Sequence, residues 1–257
     1  MTGWEALAVF VAGIAAGGIN TVVGSGTLIT FPVLLAFGYS PVVANVSNTI
    51  GLVPGSISGA IGYRRELLGQ GPRLLRLGLA SLLGGITGAV LLLTLPGSAF
   101  KAIVPVLIVL ALVLVILQPR LARRIAARRA GNGTDADDAH AHGGVVLWIA
   151  VFATGVYGGY FGAAQGVLLL ALFGVFLAEN MQRMNAVKNV LAAIVNGVAA
   201  ILFMIVADVA WWVVLIIAVG SVIGGQIGAK VGRRLPPTAL RAVIVVVGLV
   251  AVVRLLI

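Results

Sequence analysis

The sequence predicts an all-α polytopic membrane protein made of two inverted-topology repeats, each with a broken, re-entrant first hairpin and three further transmembrane helices. Three observations carry that expectation. The 257 residues are 61% hydrophobic and only 9% charged, whereas a soluble domain is about a quarter charged. A single ungapped shift, Ser81 onto Ser221, lays one half of the chain on the other. The basic loops of the two halves follow different elements, as they must if the halves face opposite ways.

Apolar runs such as "LLRLGLASLLGGITGAVLLLTLP" and "AIVPVLIVLALVLVILQP" reach the ~20 residues that cross a bilayer core. The first half reads as a broken stretch, Trp4–Phe37, then spans at Pro41–Tyr63, Leu74–Leu95 and Ala99–Leu117. The second half repeats the order with Val145–Leu177, then Met181–Val206, Trp211–Ala229 and Ala239–Leu256. The opening "MTGWEALAVFVAGIAAGG" has small residues after an apolar run but no basic n-region, and reads as mature structure rather than a signal peptide.

Under the shift, "SLLGGITGAVLLLTLPGSAFKA" falls on "SVIGGQIGAKVGRRLPPTALRA", with Gly84, Gly85, Gly88, Ala89 and Pro96 among the identities. Gly18 meets Gly158, Gly26 meets Gly166, and Asn45 meets Asn185. The repeats therefore occupy 1–118 and 145–257. The intervening 119–144 is basic, then acidic and Gly-rich, and is expected as a cytoplasmic linker. Its basic part suits a short helix on the membrane surface. His140 and His142 stand near three aspartates there, but a tract without preorganised geometry is expected to be solvated rather than metal-bound.

Arg64, Arg65, Arg73 and Arg76 follow the second element of the first half, whereas the equivalent loop around Asp208 carries no basic residue. After the third element the pattern reverses: "LPGSAFK" is nearly bare, but its counterpart holds Lys230, Arg233, Arg234 and Arg241. Inversion needs an odd number of crossings per half. The broken stretches supply it if each enters and returns, with "GGINTVVGSGTLITF" and "GVYGGYFGAAQGVLLL" as tips near the midplane. Five full crossings per half have the same parity and remain the alternative. Gly51, Gly55 and Gly59, like Gly220, Gly224 and Gly228, form small-xxx-small faces for close helix packing.

The tips and one helix stripe supply the candidate site. Helix N-termini inside the membrane offer N–H groups and a positive dipole end, which suit anions. Asn20, Ser25, Gly26 and Thr27 lie at the first tip, Gln165 and Gly166 at the second. Asn185, Lys188, Asn189 and Asn196 share one stripe at helical spacing, and the shift carries the stripe onto Asn45, Asn48, Thr49 and Ser56. Lys188 has no acidic residue three or four positions away, so it reads as counter-charge to an anion. The competing reading is a lysine snorkelling to the headgroups, which accounts for one cation but not two matched polar stripes.

The excess of Lys and Arg, 17 against 7 acidic residues, lies in a few loops and signals topology rather than nucleic acid. With no cysteine, both histidines in the linker and no carboxylate deep in a span, an enzyme is not indicated and no cofactor is implied.

The stretch "GINTVVGSGTLITFPVLLAFGYSPVVANVSNT" and its degenerate copy "GVYGGYFGAAQGVLLLALFGVFLAENMQRMNAVKN" resemble the sulfite exporter TauE/SafE family of bacterial permeases. That resemblance spans nearly the whole chain outside the linker. It implies a multi-pass protein of the bacterial inner membrane that moves a small inorganic or organosulfur anion, of the sulfite or organosulfonate class. Gln165 replaces one usual glycine, and Ser25 and Thr27 stand among the glycines of the first copy. The expected function is alternating access between the repeats around the tips. An anion channel with the same lining is the alternative, and a homo-oligomer is left open.

Overall fold

The computed structural model describes residues 1–131, 144–177 and 179–231, together with 245, 246 and 249. Most of the expected last span, residues 132–143 of the linker with both histidines, and Arg233, Arg234 and Arg241 lie outside the described residues. Among the described residues the chain is all-helical, with nine helices and no strand. They are α1 Gly3–Val22, α2 Thr27–Ala36, α3 Pro41–Gly62, α4 Gly71–Thr94, α5 Gly97–Gly131, α6 Gly144–Tyr160, α7 Gln165–Phe176, α8 Met181–Val206 and α9 Trp211–Val231.

Local chemistry accounts for the boundaries. Thr2 and Glu5 form a capping box that starts α1. Ser40 caps α3 ahead of Pro41, and Asn180, its equivalent in the second half, caps α8 by accepting from the Arg183 N–H at 2.9 Å. The long α1 stops where Gly24 turns to φ +87°; at the equivalent position Ala164 takes φ 60°, the one non-glycine residue with positive φ among those described. Gly26 lies against Ala16 and Asn20, so the chain doubles back at this break.

α1, α4, α8, α9 and the Gly97–Leu117 part of α5 are each long and apolar enough to cross a bilayer, whereas α2, α6 and α7 are shorter. One expectation changes. The basic stretch that begins at Arg120 continues α5 instead of forming a separate surface helix. At 1.5 Å per residue, α5 is roughly 50 Å long and outruns a ~30 Å hydrocarbon core. Its Ala- and Arg-rich end has high intrinsic helix propensity, enough to carry the helix on past Pro119.

Packing interleaves the halves. α1 lies along α9, and α6 lies along α4, the same pairing under the repeat shift; α3·α9 and α8·α4 form a second matched pair, with α3 against α8 at the centre. Glycine makes these approaches possible. Gly13 sits against Ile217, Gly17 against Ser221 and Gly18 against Gly224, so α1 and α9 run in the same direction. Gly51, Gly55 and Gly62 meet Ile217, Ser221 and Ala229, which aligns α3 with them. Gly84 against Gly155 and Gly88 against Tyr160 align α4 with α6, and Gly78 and Gly85 against Ile194 and Val198 align α4 with α8. The expected small-residue faces are therefore helix contacts, as at a Gly155 Cβ, which would lie 3.1 Å from Gly84 Cα.

The ends of the bundle differ. Where α3 turns into α4, Glu179 accepts from Arg73 Nη1 at 3.0 Å and Arg183 Nε at 2.8 Å. Arg183 also donates to Leu68 O at 3.1 Å, and Gln70 Nε2 donates to Arg183 O at 3.3 Å. This lock joins the first half to the second. At the opposite end, where exposed Trp4, Trp211 and Trp212 stand, the halves meet through the Ala210 N–H on Ser47 Oγ at 3.0 Å.

Candidate functional site

The two breaks meet. The Gly166 N–H donates to Gly24 O at 3.0 Å, and a Cβ on Gly166 would lie 2.5 Å from Gly24 Cα. Only two glycines allow this approach. The second break is walled by an aromatic cluster in which Phe161 packs edge-on to Phe31 of α2, with centroids 5.2 Å apart, and against Phe100 of α5.

The N-termini of α2 and α7 are not alike, which corrects the expectation that both offer open N–H groups. At α7 the N–H groups of Gln165, Gly166, Val167 and Leu168 are taken by Gly162 O, Gly24 O and Ala164 O. At α2 the N–H groups of Ser25, Gly26 and Thr27 have no partner among the described residues; pairing resumes with Leu28 and Ile29. The reason lies in the turn geometry: the breaks are equally long, four residues each, but the second turns Gly162 O and Ala164 O under α7, while the Gly24 turn brings no carbonyl under the first residues of α2.

Side chains extend this inventory. Ser25 and Gln165 occupy the same repeat position, both are buried, and Ser25 Oγ and Gln165 Nε2 have no partner among the described residues. Such groups are costly unless something else satisfies them. Thr27 Oγ1 accepts from Asn48 Nδ2 at 3.2 Å, and Asn48 Oδ1 accepts from Thr30 Oγ1. The first stripe thus braces the start of α2. Thr49 is buried beside it without a side-chain hydrogen bond of its own.

Lys188 is fully buried and its Nζ donates to Asn20 O and Thr21 O, both at 3.0 Å. These are carbonyls at the negative end of α1, a favourable place for a cation. Snorkelling is excluded by this geometry. Asn185 and Asn189 do not hold the ammonium; they donate to the same Thr21 O at 3.2 and 3.3 Å. Lys188 also passes the tip, since a Gly166 Cβ would lie 2.9 Å from its Cδ. An ammonium has three donors, and two are used. In the other half Asn45 Nδ2 donates to Tyr160 O at 3.0 Å, capping the end of α6 as the second stripe caps α1.

Asn20 and Asn196 belong to a neighbouring cluster. Both donate to Ser56 Oγ, at 3.2 and 3.5 Å; Asn196 thereby joins the two stripes, while Asn20 also packs beside Gly26 of the first tip. The sequence reading missed Thr21, Thr30, Gly24, Ala164 and Tyr160. Gly24 and Ala164 were detectable as shift equivalents inside the breaks; the carbonyl partners were not, because every residue carries one.

A helical bundle with five bilayer-length apolar helices, and with helix breaks meeting among buried polar groups, defines a multi-pass membrane transporter. The model of the sulfite exporter TauE/SafE family matches residues 9–255, and the chain belongs to that family. The chain is 27% identical to the probable membrane transporter protein YfcA of Escherichia coli K12 over 96% of its length and 88% of the relative's. It is 26% identical to the probable membrane transporter protein ORF9 of Sinorhizobium sp, covering 96% and 90%. A probable membrane transporter protein of Haemophilus influenzae is 24% identical, covering 92% and 89%. No solved structure matches the chain.

Proposed function

We propose that the chain transports a small sulfur-containing oxyanion, of the sulfite or organosulfonate class, by alternating access around the joined tips. The observation that carries this reading is the pair of buried groups at equivalent positions with no partner among the described residues, Ser25 Oγ and Gln165 Nε2, together with the open N–H groups at the start of α2. These donors replace an anion's hydration, the α2 dipole favours negative charge, and Lys188 supplies the full positive charge. Gly26 and Gly166 keep the backbone bare at the site, while Asn45, Asn48, Asn185 and Asn189 hold the tips in place.

The repeats are read as inverted. α1, α3 and α9 share one direction and α4, α6 and α8 share another, so equivalent helices run oppositely; this supports the inversion inferred from the charged loops. On that reading the Arg64–Gly71 end is cytoplasmic, and each first hairpin enters and leaves by one face. Opening one mouth then means parting the halves at the ion-pair lock, and opening the other means parting them near Ser47 and Asp208.

The test uses the cost of unpartnered groups. Ser25→Ala and Gln165→Leu remove atoms that make no hydrogen bond, so thermal stability should hold or rise. Binding of sulfite and simple sulfonates to purified protein, and their uptake into proteoliposomes, should fall at least about tenfold. If both variants bind and transport as the parent does, the tips are not the site.

A further inference from the structure

The open donors at the tips are accompanied by open acceptors. Asn45 and Asn185 each turn Nδ2 to a backbone carbonyl, Tyr160 O at 3.0 Å and Thr21 O at 3.2 Å. A carbonyl only accepts, so the nitrogen must face it, and this fixes both amide orientations. The oxygen at the other end, Oδ1, is buried in both residues and has no partner among the described residues. The two asparagines are repeat equivalents. Each also lies one helical turn before a residue at the tips: Asn48, bonded to Thr27, and Lys188, alongside Gly166.

A ligand made only of acceptor oxygens can satisfy Ser25, Gln165 and the α2 N–H groups, but it has nothing to offer either Oδ1 atom. A ligand with an O–H or N–H group of its own satisfies both kinds of partner. Charge points the same way. Lys188 is fully buried and has no carboxylate partner; the acidic residues among those described, Glu5, Glu66, Glu179 and Asp208, lie at helix ends or in connections. One buried positive charge balances one negative charge, and a dianion leaves a net charge in a low-dielectric interior.

We infer that the transported species is a monoanion carrying its own hydrogen-bond donor: a singly protonated oxyanion, or a sulfonate bearing a hydroxyl group. This rests on the anion-transport reading above.

The experiment measures binding to the purified full chain at one pH, on the acid side of the second ionisation of sulfite. Sulfite, then mostly the hydrogen-bearing monoanion, is compared with sulfate, a dianion. In a second arm 2-hydroxyethanesulfonate is compared with methanesulfonate, which lacks a donor. The donor-bearing member of at least one arm should bind roughly tenfold or more tightly than its control, as one added hydrogen bond provides. Asn185→Leu, which removes an open acceptor, should shrink that ratio, read against the variant's own methanesulfonate affinity. Equal binding of donor-bearing and donor-free anions in both arms overturns the inference and leaves anion transport standing. Binding of none of the anions overturns the transport reading and this inference with it.

Discussion

Replacing Lys188 by methionine sets two structural terms against each other and isolates a third. The ammonium makes two charge-assisted hydrogen bonds, to Asn20 O and Thr21 O, each worth about 1.5–3 kcal/mol. Thr21 O keeps Asn185 and Asn189 as donors in the variant, but Asn20 O loses the one donor it has. Against this loss, removing a cation from the membrane interior returns about 2.5–3.5 kcal/mol on insertion scales. Methionine is unbranched and fills nearly the same channel beside Gly166. The balance predicts a net destabilisation of only about 0–3 kcal/mol, seen as a modest fall in the thermal midpoint in detergent. Binding should respond far more. The third N–H and the charge itself are lost to the anion, for a weakening of roughly 10- to 150-fold at about 1.5–3 kcal/mol. Lys188→Arg keeps the charge and should retain part of the affinity. Thermal unfolding and anion titration on the same samples separate these effects. If Lys188→Met binds sulfite as tightly as the parent, Lys188 is a cap for α1 and nothing more.

Two other substitutions test the frame around the site. Glu179→Ala leaves Arg73 and Arg183 without the carboxylate that joins the halves; with these side chains partly solvated, stability should drop by about 1–3 kcal/mol in thermal unfolding, and an unchanged midpoint would show the lock to be energetically idle. Orientation is checked on a chain with no native cysteine: a membrane-impermeant thiol reagent should label Asp208→Cys in intact cells and Gly71→Cys only after permeabilisation, and the reverse pattern refutes the assigned sidedness.

Much of the architecture was legible in the residues themselves. In a bilayer, backbone groups have no water to turn to, so apolar length and glycine-rich breaks dictate where helices run and stop. That local logic placed the start of α8 at Met181, the short arms after both breaks, and the polar stripes of α3 and α8. It also singled out Ser25 and Gln165. Local logic misjudged the end of α5, where helix propensity carried the chain past a proline. It had no access to partners chosen by packing between the two halves. That Gly24 seats Gly166, that Lys188 reaches the end of α1, and that Asn45 does the same for α6 all depend on contacts between residues more than a hundred positions apart. The open N–H groups at α2 and the closed ones at α7 follow from how each turn folds against its neighbour. A carbonyl is the same atom in every residue; only the tertiary structure decides which one a buried lysine will find.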